Sequence, residues 1–321
     1  NFDGRFEFSS RAGEVSLDPN SNLNSKILIS NIQISSNTIP DQGIVHQLND
    51  NNGELFRLGK IKNTECWVVQ DLLYDKKTNI INEDSFALIA TQKTGVLALK
   101  LSEVSDKYDL SPPNIYQKAI FLSWGYLIRK SICDELEIEI SEFNLGYRIS
   151  PDTKSHEIYL VETADNGAGY TNYINGKEDV EVSKKVFIDN LTRDGKIYSG
   201  LIQESHSNDC STSCYDCLRD YYNQKHHSML NWRFALDLAE LSTHKDAEMN
   251  FGQAYWADFF INYLSKLIKN KYDENLVYQN GIYSFKNNGV STLIIHPFWS
   301  DQYISSLLDG KYEGSIHMMD I

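Results

Sequence analysis

Short apolar and alternating runs, each closed by Asn, Asp or Gly, fill roughly the first third of the chain and predict β-strands. They include Leu28-Ile29, Ile32–Ile34, Leu55–Leu58 and Trp67–Val69. Phe86–Thr91 and Thr94–Leu99, with Gln92-Lys93 between them, read as a hairpin. The period then changes. Pro112-Pro113 opens a predicted long helix, with Ile115, Ala119, Leu122, Tyr126 and Ile132-Cys133 recurring at near-helical spacing. A strand over 157–162 follows and runs into Asp165-Asn-Gly-Ala-Gly-Tyr170, then a helix from Val180 to Leu191. Leu230, Phe234, Leu238 and Leu241 mark an amphipathic helix. The remainder reads helix (254–268), strand (276–285), strand (290–295), a break at His296-Pro297, helix, strand. The predicted class is α+β, with a β-rich part over 1–110, a central α/β domain over 111–245 and a small α/β lobe over 246–321.

Composition narrows this picture without redirecting it. With 321 residues, 41% hydrophobic and 12% aromatic, the chain can bury a sizeable core. No apolar run reaches the length of a membrane span, and no charged-then-apolar leader stands at the start. Asn1–Phe8 reads as the middle of a strand region and Met318–Ile321 lacks a polar tail, so the sequence is expected to be part of a longer chain. A net charge of −14, from 44 acidic and 30 basic side chains, repels phosphate overall. It leaves room for a local basic patch, for which Arg219, Lys225 and Arg233 are candidates.

Chemistry concentrates in Cys210-Ser-Thr-Ser-Cys214-Tyr-Asp-Cys217, which holds three of the five cysteines. Loops this tight strain a disulfide, whereas several thiolates can converge on one ion from a single turn. The isolated Cys66 and Cys133 fit a reducing, cytoplasmic setting. A tetrahedral zinc site needs one more ligand. His206 in the same loop is the favoured fourth, because short spacings suit structural sites, with His226 or His227 as alternatives. A catalytic zinc deaminase would need His-x-Glu ahead of Pro-Cys-x-x-Cys, and neither half is present. The iron–sulfur spacing of radical enzymes places an aromatic before the third cysteine, where this chain has Asp216. The expected metal is therefore structural Zn2+ held by Cys210, Cys214, Cys217 and His206.

Three other motifs carry weaker signals. Asp165–Tyr170 could cradle a phosphate but reads better as a tight turn that needs glycine φ angles. His296 ends an apolar strand with no carboxylate pair beside it, so packing is expected there rather than metal-dependent cleavage. No Gly-x4-Gly-Lys-Ser/Thr P-loop occurs, and Cys133 falls on an apolar helix stripe.

The order of these motifs resembles the MrfA-like zinc-binding domain, found at the C-terminus of certain superfamily-2 DNA helicases and in DrmB- and DruE-like phage-defence proteins. The resemblance rests on 48–56, on the stretch ending Lys93-Thr-Gly-Val-Leu97 and on the helix Gln117–Leu136. It continues through Ile158–Tyr170, Asp209-Cys210, Ser213–Tyr221, and Asn223, His227, Leu230 and Ala235–Leu238. It covers most of residues 45–300. The family's adjacent glycines are Asn166-Gly167 here, and one of its four cysteines is missing, which supports His206 in that place. Helicase motor motifs are absent from the sequence. The resemblance implies a non-catalytic accessory module that braces a helicase motor domain or subunit, in phage defence or DNA repair, with DNA reached through the complex. The alternative is a stand-alone hydrolase or nuclease using the zinc or His296.

Overall fold

A computed structural model describes residues 13–19, 21, 23–37, 42–49, 56–61, 64–68, 78–110, 115–150, 153–279, 281–307 and 314–317. Pro112-Pro113, Val69, residues 50–55 and both chain ends therefore lie outside the described residues. The strand-rich first third forms β1 (Gly13–Leu17), β2 (Ser25–Ile29), β3 (Ile32–Ser36), β4 (Gly43–Asn49), β5 (Phe56–Ile61) and β6 (Thr64–Val68). They continue as β7 (Thr78–Phe86), β8 (Leu88–Thr94) and β9 (Val96–Leu101). The long helix is α1 (Ile115–Leu136), followed by β10 (Phe143–Ile149) and β11 (His156–Glu162).

Five antiparallel strands make the central sheet, in the order β10-β11-β9-β3-β2. All six residues of β9 and all seven of β11 are buried, because both faces of this sheet are covered. Leu97, Leu99, Ile158 and Leu160 face the main core, while Val96, Ala98, Tyr159 and Val161 pack with Leu17 and Val45 of the three-stranded β1-β4-β8 sheet. This two-sided burial explains an apolar run without alternation.

It also corrects one expectation. The stretches 86–91 and 94–99 do not form a hairpin: β8 pairs with β4, and β9 pairs with β3 and β11. The chain changes sheets at Gly95, where a Cβ would fall 2.4 Å from both Glu162 Oε1 and Thr171 Oγ1. No side chain larger than hydrogen fits there.

Helix α1 is apolar nearly all round and lies across β10 and β11. After α2 (Tyr170–Tyr173) and α3 (Val180–Lys184), which runs on through a wider turn to Asp189, come α4 (Lys196–Ile202) and α5 (Glu204–Ser207). Helix α6 (Trp232–Thr243) packs along α1, tied to it where Asn231 N–H donates to Ser123 Oγ at 3.0 Å. Helices α7 (Ala254–Phe259) and α8 (Ser265–Tyr272) precede the last sheet, β12 (Val277–Gln279), β13 (Ile282–Asn287), β14 (Val290–Ile295) and β15 (Gly314–His317), with α9 (Asp301–Ser306) between the last two strands. The architecture is mixed α and β, as the pattern predicts. The stretches divided at 110 and 245 share structure: the central sheet takes strands from both sides of residue 110, and one apolar core runs from Ile29 to Ile304.

Candidate metal centre

The site starts with a helix of one turn. Helix α5 carries His206, whose carbonyl accepts the Cys210 N–H at 2.8 Å, folding the chain back after four residues. Cys214 then opens a tight turn. Its carbonyl accepts the N–H groups of Cys217, Leu218 and Arg219, and its own N–H donates to Cys217 Sγ at 3.1 Å. Backbone donors aimed at sulfur favour a thiolate there.

These two turns bring His206, Cys210, Cys214 and Cys217 together, their ligand atoms all within 4.8 Å of one another. Cys210 Sγ lies 3.8 Å from Cys217 Sγ, Cys214 Sγ lies 3.6 Å from Cys217 Sγ, and His206 Nε2 lies 3.5 Å from Cys214 Sγ. His206 Nδ1 donates to the Leu201 carbonyl at 2.9 Å, which fixes the tautomer whose Nε2 lone pair points at the sulfurs. The cluster could hold a metal ion. Cys210 and Cys217 are buried, His206 and Cys214 half-buried.

Crowding splits the thiols electrostatically. Cys217 is pulled down to about 4, chiefly by the hydrogen bond from Cys210 and against burial, with His206 assisting. The Cys210 thiol is pushed up by donating that bond and by burial, and Cys214 is pushed up by burial and the neighbouring thiolate. For His206, burial opposes protonation, but hydrogen bonds to Cys217 and Leu201 outweigh it and raise its pKa. A divalent cation among the sulfurs would let all three ionise together.

A buried arginine holds the knuckle in place, with no direct sign of that role in the sequence. Arg233, 1% exposed at the start of α6, donates to the carbonyls of Ser207, Cys210 and Ser211, and to Tyr255 from the other side. Its guanidinium lies between Trp232 (4.1 Å) and Phe259 (4.7 Å), and burial lowers its pKa to about 10. Trp232 adds its indole N–H to the Cys210 carbonyl and its backbone N–H to Thr212. Arg219 turns back to Ser213 Oγ at 2.8 Å. Of the three residues of the expected basic patch, Arg233 is thus interior and Arg219 braces the loop. Only Lys225 faces outward.

The alternative fourth ligands sit elsewhere. His227 Nε2 reaches the Asp220 carbonyl and Asn223 Oδ1, within the turn capped by Asp220. His226 Nδ1 accepts from Tyr126 Oη at 2.7 Å, and burial, reinforced by Lys225, Lys118 and Arg129, pulls its pKa down to about 3. Its folded pKa is depressed, so its contribution to stability is complete above the ordinary value near 6.5 and is lost as pH falls toward 3. The variant His226→Gln is expected to flatten that part of the acid limb in urea unfolding between pH 6.5 and 4. Parallel curves for variant and parent would refute this.

The other two motifs resolve as packing. The glycine turn folds around an internal anion. Buried Glu162 accepts from the N–H groups of Ala168, Gly169 and Thr171 and from Thr171 Oγ1, while Asn166, Gly167 and Gly169 take positive φ. Those donors are the ones a phosphate would need. The expected tight turn is therefore what the structure contains. His296 has a fully buried side chain, its Nε2 3.2 Å from Asp237 Oδ2 and its Nδ1 accepting the Phe298 N–H. It cannot meet a substrate, which corrects the alternative of a hydrolase or nuclease built on His296.

No family model matches the chain. The chain is 26% identical over 155 residues to Druantia protein DruE of Escherichia coli (strain UMEA 4076-1), covering 46% of this chain and 8% of DruE. Over that stretch the chain resembles DruE. Two solved structures of the DUF1998 helicase MrfA, bound to DNA and to DNA with AMPPNP, superpose loosely, with TM-scores of 0.38 and 0.27 at 9% identity. They cover 68% and 71% of this chain and 24% and 22% of MrfA. The chain thus spans under a tenth of DruE and about a quarter of MrfA.

Proposed function

We propose that this chain is a zinc-stapled, non-catalytic accessory module of a DNA helicase or translocase. It would serve phage defence or DNA repair, work in the cytoplasm, brace the motor and contribute to a DNA or partner interface. The observation that carries this reading is the closed set of His206, Cys210, Cys214 and Cys217. A tetrahedral zinc ion, with Zn–S about 2.3 Å and Zn–N about 2.0–2.1 Å, requires S···S edges of about 3.8 Å and S···N edges of about 3.6 Å. Three of the six edges, at 3.8, 3.6 and 3.5 Å, fit that metric, and all six lie within 4.8 Å. Four protein ligands leave no position for a reactive water, so the ion would supply cross-linking rather than Lewis-acid chemistry.

The similarity to DruE supports the helicase setting. No helix among the described residues is long and apolar enough to cross a membrane. In this reading Arg233 and Trp232 are positioning residues that hold the knuckle's carbonyls against α6. Elemental analysis of the purified full chain should find one zinc per chain, and co-expression with the motor it serves should recover both together. Purified chain free of zinc would defeat the staple, and a water in the cobalt-substituted coordination shell, read by absorption spectroscopy, would defeat its non-catalytic role.

A further inference from the structure

A second feature gathers positive charge in a chain whose net charge is −14. Two adjoining clefts, of about 230 and about 30 Å³, lie where α1, β10 and the β1-β4 edge meet the turn around Lys225, and both are lined by Val15, Leu145 and Lys225. Lys118 and Arg148 line the first and Arg129 the second, and no acidic side chain lines either among the described residues. Arg148 and Arg129 are paired with Glu157 and Asp220, and Arg129 is buried, so the outward-facing positive charge comes chiefly from Lys118 and Lys225. The field is strong enough to register on a neighbour: after burial, Lys225, Lys118 and Arg129 are what push down the pKa of His226.

Tyrosines alternate with the cations. Tyr147 and Tyr159 line the first cleft, Tyr126 and Tyr222 the second. Burial raises Tyr147 to about 12, so its hydroxyl stays neutral and bonded to His156 Nδ1. Gly146 lets the Tyr159 ring lie across β10, since a Cβ there would fall 2.2 Å from that ring. Lys118, Leu122, Tyr126 and Arg129 follow one another at spacings of four, four and three along one face of α1. Eleven residues of helix rise roughly 16 Å.

We infer that this cleft binds the phosphodiester backbone of a single nucleic-acid strand, with Lys118, Lys225 and Arg148 facing phosphates and Tyr222 offering a stacking surface. Cations spaced along a groove with interleaved aromatics suit a flexible strand, whose bases stack without sequence preference. The inference leans on the proposed function only in choosing nucleic acid as the polyanion.

Fluorescence anisotropy of the full chain with labelled oligothymidylate should show binding whose log K falls with log salt at a slope of about −1.4 to −2, for two to three phosphates. The double variant Lys118→Gln/Lys225→Gln should weaken binding at least tenfold and cut the slope by about 1.4, two contacts at roughly 0.7 each. Lys266→Gln/Lys269→Gln on α8 should leave it unchanged. If the double variant unfolds, Lys225→Gln, at an exposed side chain, should weaken binding and cut the slope by about 0.7. Absence of binding, a salt-independent affinity or an equal loss in the α8 control would overturn the inference. A mononucleotide or inorganic phosphate competing as well as the oligomer would overturn the strand assignment, as would duplex competing as well as single strand. Zinc measured on the same samples separates the two readings. Strand binding without zinc removes the staple and leaves the cleft, and zinc without strand binding does the reverse.

Discussion

Replacing Cys217 by serine is expected to empty the metal site and melt the segment from Glu204 to Asp220. Cys217 is the centre of the knuckle, 3.8 and 3.6 Å from the other two sulfurs and the acceptor of the Cys214 N–H. Serine keeps the shape but offers no thiolate. The segment has little apolar material of its own, with Cys210, Cys217 and Leu218 its fully buried hydrophobic side chains. Structural zinc binds finger peptides with about 10–16 kcal/mol, as large as the roughly 5–15 kcal/mol that stabilises a whole domain. Losing the ion should therefore unfold what it ties. Zinc should fall well below one per chain, and limited proteolysis should cut between 204 and 220. Chelation of the parent chain should reproduce both effects. Cys133→Ser is the control, because Cys133 sits on α1 with its thiol against the Glu139 carbonyl, away from the cluster. A Cys217→Ser chain with full zinc and an unchanged cleavage pattern would refute the staple.

The second large effect is expected at Asp237, in the middle of α6. Its carboxylate accepts from Tyr255 Oη at 2.7 Å, Trp256 Nε1 at 2.8 Å and His296 Nε2 at 3.2 Å, and both Asp237 and His296 have fully buried side chains. The Phe298 N–H occupies His296 Nδ1, so the ring proton is directed at Asp237. One carboxylate thereby joins α6, α7 and the end of β14. Asp237→Ala strands three donors in the core, an expected loss of about 3–5 kcal/mol, or roughly 10 °C in thermal midpoint for a protein of this size. Amide exchange should quicken first in α7 and β14. The same network sets an alkaline limit. Burial, then Asp237, raises Tyr255 well above its ordinary value of 10. A raised folded pKa means its contribution is complete below pH 10 and is lost as pH rises beyond it. Tyr255→Phe should flatten that decline in urea titrations above pH 10. Asp237→Ala melting within a degree of the parent would refute the network's role.

Much of the element order was legible because hydrophobic period is a local property. The helix at 115–136, the amphipathic helix at 232–243 and the strand at 290–295 stand where their spacing puts them, whereas the single strand expected over 276–285 is the antiparallel pair β12 and β13. β10 went unread, although Phe143, Leu145, Tyr147 and Ile149 alternate in the way a half-buried strand should. The false hairpin at 86–99 has a different cause. A run apolar on both faces reveals that it is buried but not which strands cover it, and the chain changes sheets at Gly95, inside the expected second strand, where the missing side chain makes room for Glu162.

The sequence by itself determined the ligand cluster. Four residues within twelve positions meet through two short turns, and no distant part of the chain is needed to bring them together. It likewise determined the glycine turn, since Glu162 lies only a few residues before the N–H groups it binds. The tertiary structure alone decided what surrounds them. Arg233 and Lys225 look alike in the sequence. One is sealed beneath the knuckle because Tyr255 and Phe259 close over it from a later helix, and the other is left at a cleft formed with α1 and β10. Burial of a charge depends on groups far away in the chain, and spacing along the sequence carries no record of which of them will arrive.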